Sequence, residues 1–174
     1  HEHIIRSPDD LAGAVEYDNV CGEFKGSHRS NENYIRGDCI MMDVDNDHSD
    51  APDDWITPES VADLLEDVSF AAVPSRNNMK PKNGKAPRPK HHYFFPITPC
   101  TDAKAVTLLK STIQGCFTFF DKKALDAAHF TFGATCSGDE VYWHGGIFTI
   151  DQVDLSDDLG IPGEYEVGSR EIPD

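Results

Sequence analysis

No stretch of this 174-residue chain approaches the roughly 18 to 20 consecutive apolar residues that cross a bilayer, and no basic, apolar leader opens it. Basic residues are scarce: 15 Lys and Arg stand against 31 Asp and Glu, a formal charge of −16. Nucleic-acid affinity driven by overall charge is thereby excluded, because that affinity comes from cations neutralising phosphates. Cys-x-x-Cys is missing as well. The five cysteines, Cys21, Cys39, Cys100, Cys116 and Cys136, are odd in number, which suits reduced, partly buried thiols in a cytoplasm better than a disulfide framework or a zinc ribbon. What is present excludes a disordered acidic chain, since 39% of residues are hydrophobic and 10% aromatic. A chain of this length makes one domain with a core of its own. The expectation is a globular domain over residues 4–155. The leading His1-Glu2-His3 reads as an expression scar, and residues 156–174, with Gly160, Pro162 and Gly163, as an acidic tail or linker.

The average charge conceals a partition. Residues 37–75 hold eleven acids and no Lys or Arg, whereas 76–92 hold six Lys or Arg, two His and no acid. From 151 to 174 there are eight acids and one Arg. Local field decides where an anion docks. An acidic cluster beside a basic run suits metal ions plus phosphates; a solvated acidic face beside a basic loop is the plainer alternative.

The elements can be read in outline. Ser7-Pro8-Asp9-Asp10 predicts a helix start, with Ser7 as cap and Pro8 in the first helical position. The run Asp38 to Asp45 reads as a buried strand with acids at its end. Thr57-Pro58 opens a helix that places Val61, Leu64, Leu65 and Val68 on one face. A strand over Phe70 to Val73 leads into a basic, Pro- and Gly-rich loop from Pro74 to Pro89, then an aromatic strand over His92 to Ile97. A helix over 102–113 using Leu108, Leu109 and Ile113 is closed by Gly115. Phe117 to Phe120 reads as a strand ending in Asp121, with further short strands at Phe130 to Phe132, Val141 to Trp143 and Ile147 to Ile150. Strands interleaved with helices predict an α+β, two-layer α/β fold.

Three segments can carry chemistry. Side chains two apart on a strand share a face, so Asp43 and Asp45 point one way while Val44 enters the core. Paired carboxylates at that spacing ligate hard divalent cations and leave positions open for phosphate; a strand passing into a turn is the alternative. A calcium loop is excluded, because its sixth position would be His48 instead of Gly and its twelfth Asp54 instead of Glu. His91 and His92 follow the basic loop and face opposite sides of their strand, so one of them can donate to a phosphate oxygen there. Asp121, after an apolar aromatic run, is a third candidate ligand or a turn cap.

In that order, the segments resemble the motifs of the archaeo-eukaryotic primase superfamily, closest to primase-polymerase domains of phages, plasmids and other mobile elements. Ile40 to Asp47 resembles the first motif, Arg88 to Ile97 the second, and Asp121 with Asp126 to Phe130 the third. The resemblance covers roughly residues 20–150 and implies a catalytic core with an RRM-like mixed or antiparallel sheet plus a smaller N-terminal α/β unit. It implies a template-dependent DNA primase/polymerase in which Asp43, Asp45 and Asp121 hold two Mg²⁺ or Mn²⁺ ions. His92, Arg29, Arg76, Lys90 and His129 would contact the incoming NTP or dNTP. Single-stranded DNA would be the template, a helicase domain a partner within the full-length protein, and the bacterial, archaeal or phage-infected cytoplasm the location. Two residues depart from the family pattern: Lys90 stands where a small residue is usual, and His129 where Arg is common. The net charge predicts weak DNA binding without nucleotide. A metal-dependent nuclease and a catalytically silent interaction domain of a replication protein are the rival readings.

Overall fold

A computed structural model describes residues 1–155; the tail or linker expected over 156–174 lies outside the described residues. The long strand β3 (Tyr34–Val44) is the backbone of the molecule. Its run Ile40-Met41-Met42 is apolar on both faces because both faces are covered: Ile40, Met42 and Val44 enter one core and Met41 the other. With β1 (Asn19–Val20), β2 (Glu23–Phe24), β4 (Phe70–Pro74), β5 (His91–Cys100), β6 (Phe130–Thr131) and β7 (Tyr142–His144), the described strands number seven. Five form an antiparallel sheet in the order β2-β3-β5-β4-β7, and β1 pairs with β6 beside it.

Helices α2 (Pro58–Leu64) and α3 (Ala103–Cys116) pack on one face through Val61, Leu65, Val106 and Ile113. Helix α1 (Pro8–Val15) covers the other through Leu11, Ala12 and Val15, against Met41, Ala71, Val73 and Phe94. The fold is α+β, and the N-terminal elements are built into it: α1 lies on a sheet face, β2 is the sheet's edge strand and β1 pairs with β6. The caps agree with the sequence: Ser7 accepts from Asp10 N, and Thr57 forms a capping box with Ser60.

Three expected elements take other forms. Phe117 to Phe120 is a turn: Phe117 and Phe120 both enter the core at a spacing of three, closed by Phe120 N donating to Phe117 O at 3.1 Å. Helix α3 runs through Gly115 to Cys116, and its buried stripe is Val106, Lys110 and Ile113, leaving Leu108 65% exposed. Around Ile147 to Ile150, Phe148 makes a single bridge to Val68 and Ile150 opens a 3₁₀ turn; Ile147 stays at the surface and only Ile150 is fully buried.

Candidate metal centre

The register of β3 on β5 sets the site. Asp43 lies directly across from His92, and Val44 from His91. The first pair is on the α1 side with Met41, two residues before Asp43 on β3, and Phe94, two residues after His92 on β5. Strand β2 pairs with β3 at Tyr34 and Arg36, so farther along that edge is open to other partners. There Asp121 N donates to Asp43 O at 2.8 Å, bringing the segment after α3 to the end of β3. The Asp121 side chain accepts from Lys123 N at 2.9 Å.

Asp43, Asp45 and Asp121 each offer an oxygen within 4.8 Å of the other two, all half-buried. This is the one group of three or more His, Cys, Asp or Glu among the described residues that could hold a metal ion. Asp43 Oδ1 is buried and receives no hydrogen bond, an uncommon state for a buried carboxylate oxygen. His92 Nε2 is 3.7 Å from it, too far for a hydrogen bond. Burial first, then the charges of Asp45 and Asp121, push the Asp43 carboxyl up to about 7. An all-oxygen set with a crowded, undonated carboxylate fits a hard divalent cation. Burial likewise lowers His92 to about 4, so its ring is neutral at physiological pH.

A rigid scaffold stands behind the acids. Asn46 ends β3 in a left-handed conformation, and its buried side chain donates to Ile56 O and Pro89 O while accepting from Ile56 N. The buried Arg88 guanidinium donates to Asn46 O, Ser49 O and Asp50. Both lie in the segments that resemble the first and second motifs, but neither was given a role there; an Asn after an apolar strand is the signal that marks such a left-handed turn.

The basic residues divide. Lys90, expected at a phosphate, has its side chain only 4% exposed, with Nζ 3.3 Å from Asp45 Oδ1 and 3.2 Å from Asp47 Oδ1. Arg29 and Arg76 are exposed and lie over aromatic rings, Arg29 4.6 Å from the centroid of Phe130 and Arg76 4.0 Å from that of Phe132. The two rings meet edge to face at 4.8 Å. His129, next to Phe130, has Nδ1 3.3 Å from Asp126 and is one of the charges felt at His92.

The chain is thus an α+β domain with three carboxylates clustered opposite an imidazole. Among solved structures it is similar to the AEP domain of the cyanophage S-2L primase-polymerase (PrimPol), with 16% sequence identity and a TM-score of 0.49 over 76% of this chain. It spans 65% of that structure's length. No protein-family model and no curated protein sequence matches it. Among the described residues no helix is long and apolar enough to cross a membrane.

Proposed function

We propose that the chain is a primase-polymerase: a template-dependent enzyme that transfers nucleotides from NTP or dNTP to a 3′-hydroxyl. The observation that carries this reading is the convergence of Asp43, Asp45 and Asp121, from two separate chain segments, opposite His92. Together with the order of the motifs, it favours nucleotidyl transfer over the bare inventory of acids and His that a nuclease would share. In this reading the three carboxylates hold Mg²⁺ or Mn²⁺. Two such ions supply activation of the attacking hydroxyl and neutralisation of the departing pyrophosphate.

The rest is the work of this chain's side chains. The neutral His92 ring donates an N–H to a triphosphate oxygen, because burial keeps it from taking a second proton. Lys90 holds Asp45 and Asp47 and offsets their charge, instead of reaching the triphosphate. His129 is a phosphate contact at the rim. Arg29 and Arg76 flank the ring pair Phe130 and Phe132, a surface suited to the unpaired bases and phosphates of a single-stranded template.

The test is a single-stranded template with labelled nucleotides of each sugar type, with and without primer, in Mg²⁺ or Mn²⁺. Lengthening that requires nucleoside triphosphates and disappears in Asp43→Ala and Asp45→Ala supports the reading. Shortening of a primer without them indicates a nuclease. Wild-type synthesis by either variant overturns the metal assignment, and no metal-dependent nucleotide binding in calorimetry indicates a silent domain.

A further inference from the structure

Away from the three clustered carboxylates, the described structure buries a lysine that makes no ion pair, although the charge of Asp126 reaches it. Lys110 on α3 is 3% exposed, no carboxylate lies within 4.0 Å of its ammonium, and its hydrogen bond is a long one, 3.4 Å to Asp126 O. Buried ammonium groups are normally paired. What lies beside Lys110 is sulfur. Cys21 Sγ and Cys39 Sγ are 3.9 Å apart, and both line a cavity of about 10 Å³ together with Met41, Lys110 and His129.

The pair joins parts of the chain distant in sequence. Cys39 is on β3, on the face of Met41 and Asp43, while Cys21 is in the connection between β1 and β2. Two glycines hold that connection against the strand. A Cβ at Gly22 would meet the Tyr34 ring at 2.8 Å, and one at Gly37 would meet Tyr34 Oη at 2.6 Å and Cys21 O at 3.4 Å. The sulfurs therefore touch because the backbone is pressed close, not because one side chain happens to reach. The contact with Cys39 and then the Lys110 charge outweigh burial and favour the thiolate of Cys21, whereas Cys39 is held as the thiol. A third cysteine, Cys136, packs against the same small core.

We propose that Cys21 and Cys39 form a site of reversible oxidation, closed to a disulfide by a low-molecular-weight disulfide of the glutathione class. Cys21, as thiolate, attacks one sulfur of the small disulfide; a mixed disulfide forms and one small thiol leaves. The first small thiol leaves as its thiolate and takes a proton from water, which replaces the one Cys21 had already lost to solvent. Cys39 gives up its proton and attacks Cys21 Sγ, forming the internal bond while that proton leaves on the second small thiol. Two protein thiols are oxidised and one small disulfide is reduced to two thiols. The internal bond ties the β1–β2 connection to the strand that carries Asp43.

The test treats the native chain with oxidised glutathione, alkylates the remaining thiols and maps linkages by mass spectrometry. The expected result is loss of two of the five thiols, a Cys21–Cys39 linkage, and full recovery with dithiothreitol. Cys39→Ser should accumulate the glutathione adduct on Cys21. Lys110→Met, which keeps the buried volume, should slow the first step by about tenfold, read as the alkylation rate of Cys21, with Cys100 as internal reference. Retention of all five thiols, a linkage to Cys136, or an unchanged Cys21 rate in Lys110→Met overturns the proposal. None of these readouts depends on nucleotide transfer, so the site and the proposed enzyme stand or fall separately.

Discussion

Asp43 is placed where its charge is costly to the fold. Its carboxyl is raised to about 7 from an ordinary value near 3.8, first by burial and then by Asp45 and Asp121. A group whose folded pKa is raised binds its proton more tightly in the native state, so stability is lost as pH climbs from about 4 to about 7. Above pH 7 the metal-free chain carries that full loss, on the order of 4 kcal/mol at about 1.36 kcal/mol per unit. Asp43→Asn should therefore raise the thermal midpoint at pH 8 in chelator while abolishing nucleotide incorporation. Mn²⁺ should raise the midpoint of the wild type and not that of the variant, since only the wild type has three carboxylates to share. Scanning calorimetry of both proteins with EDTA or Mn²⁺ checks this; a variant less stable than wild type at pH 8 would show that Asp43 is not under electrostatic strain. Asp43 and Asp45 were legible in the sequence because strand period two puts them on one face, whereas Asp121 joined them only through the order of the motifs. Lys90 was not: read alone, it is a basic residue leaving a basic loop, and only the fold shows its ammonium between Asp45 and Asp47.

Among the elements, the three helices and the long central strands were legible, and the short strands less so. β3, β4 and β5 announce themselves as apolar or aromatic runs because both faces of the sheet are covered, whereas their antiparallel pairing cannot be read from such runs and shows only in the fold. The aromatic run at Phe117 misleads because a turn with residues three apart buries rings as well as a strand does with residues two apart. Helix α3 misleads by burying Lys110, whose stem packs like an aliphatic chain and shifts the apolar stripe off Leu108. Strand β6 has only two paired residues but sets Phe130 and Phe132 on one side, and there a binding prediction belongs. Phe132 is 48% exposed, so Phe132→Ala should leave the thermal midpoint unchanged while weakening single-stranded oligonucleotide binding by roughly fivefold or more. Arg76→Ala should weaken it too and also flatten the dependence of affinity on salt, by about 0.7 in the log–log slope for one phosphate contact. Fluorescence anisotropy across a salt series measures both. Equal affinity in wild type and Phe132→Ala would remove the aromatic surface from the template path.

At the scale of the molecule, the partition between an acidic and a basic segment has a structural resolution that sequence could not supply. Half of the basic run folds back onto the acids: Lys85 reaches Asp47, Arg88 reaches Asp50, and Lys90 bridges Asp45 and Asp47. Little positive charge is left for a template, in keeping with the weak binding expected at −16. The same packing shapes the response to acid. His91 and His92 are both lowered to about 4 by burial. For each, the unfolded chain takes a proton near pH 6.5 and the folded one does not, so stability falls as pH drops from about 6.5 to about 4. Asp43 works the other way in that window, since the folded chain takes its proton first. Two groups losing about 1.4 kcal/mol per pH unit against one gaining it leave a net loss of roughly 1.4 kcal/mol per unit. Asp43→Asn removes the opposing group, so its stability should fall about twice as steeply with acid as that of the wild type, although it starts higher at pH 8. Urea unfolding of both proteins from pH 8 to pH 4 measures the two slopes directly. Parallel curves would mean that Asp43 is ionised in the folded chain throughout that range.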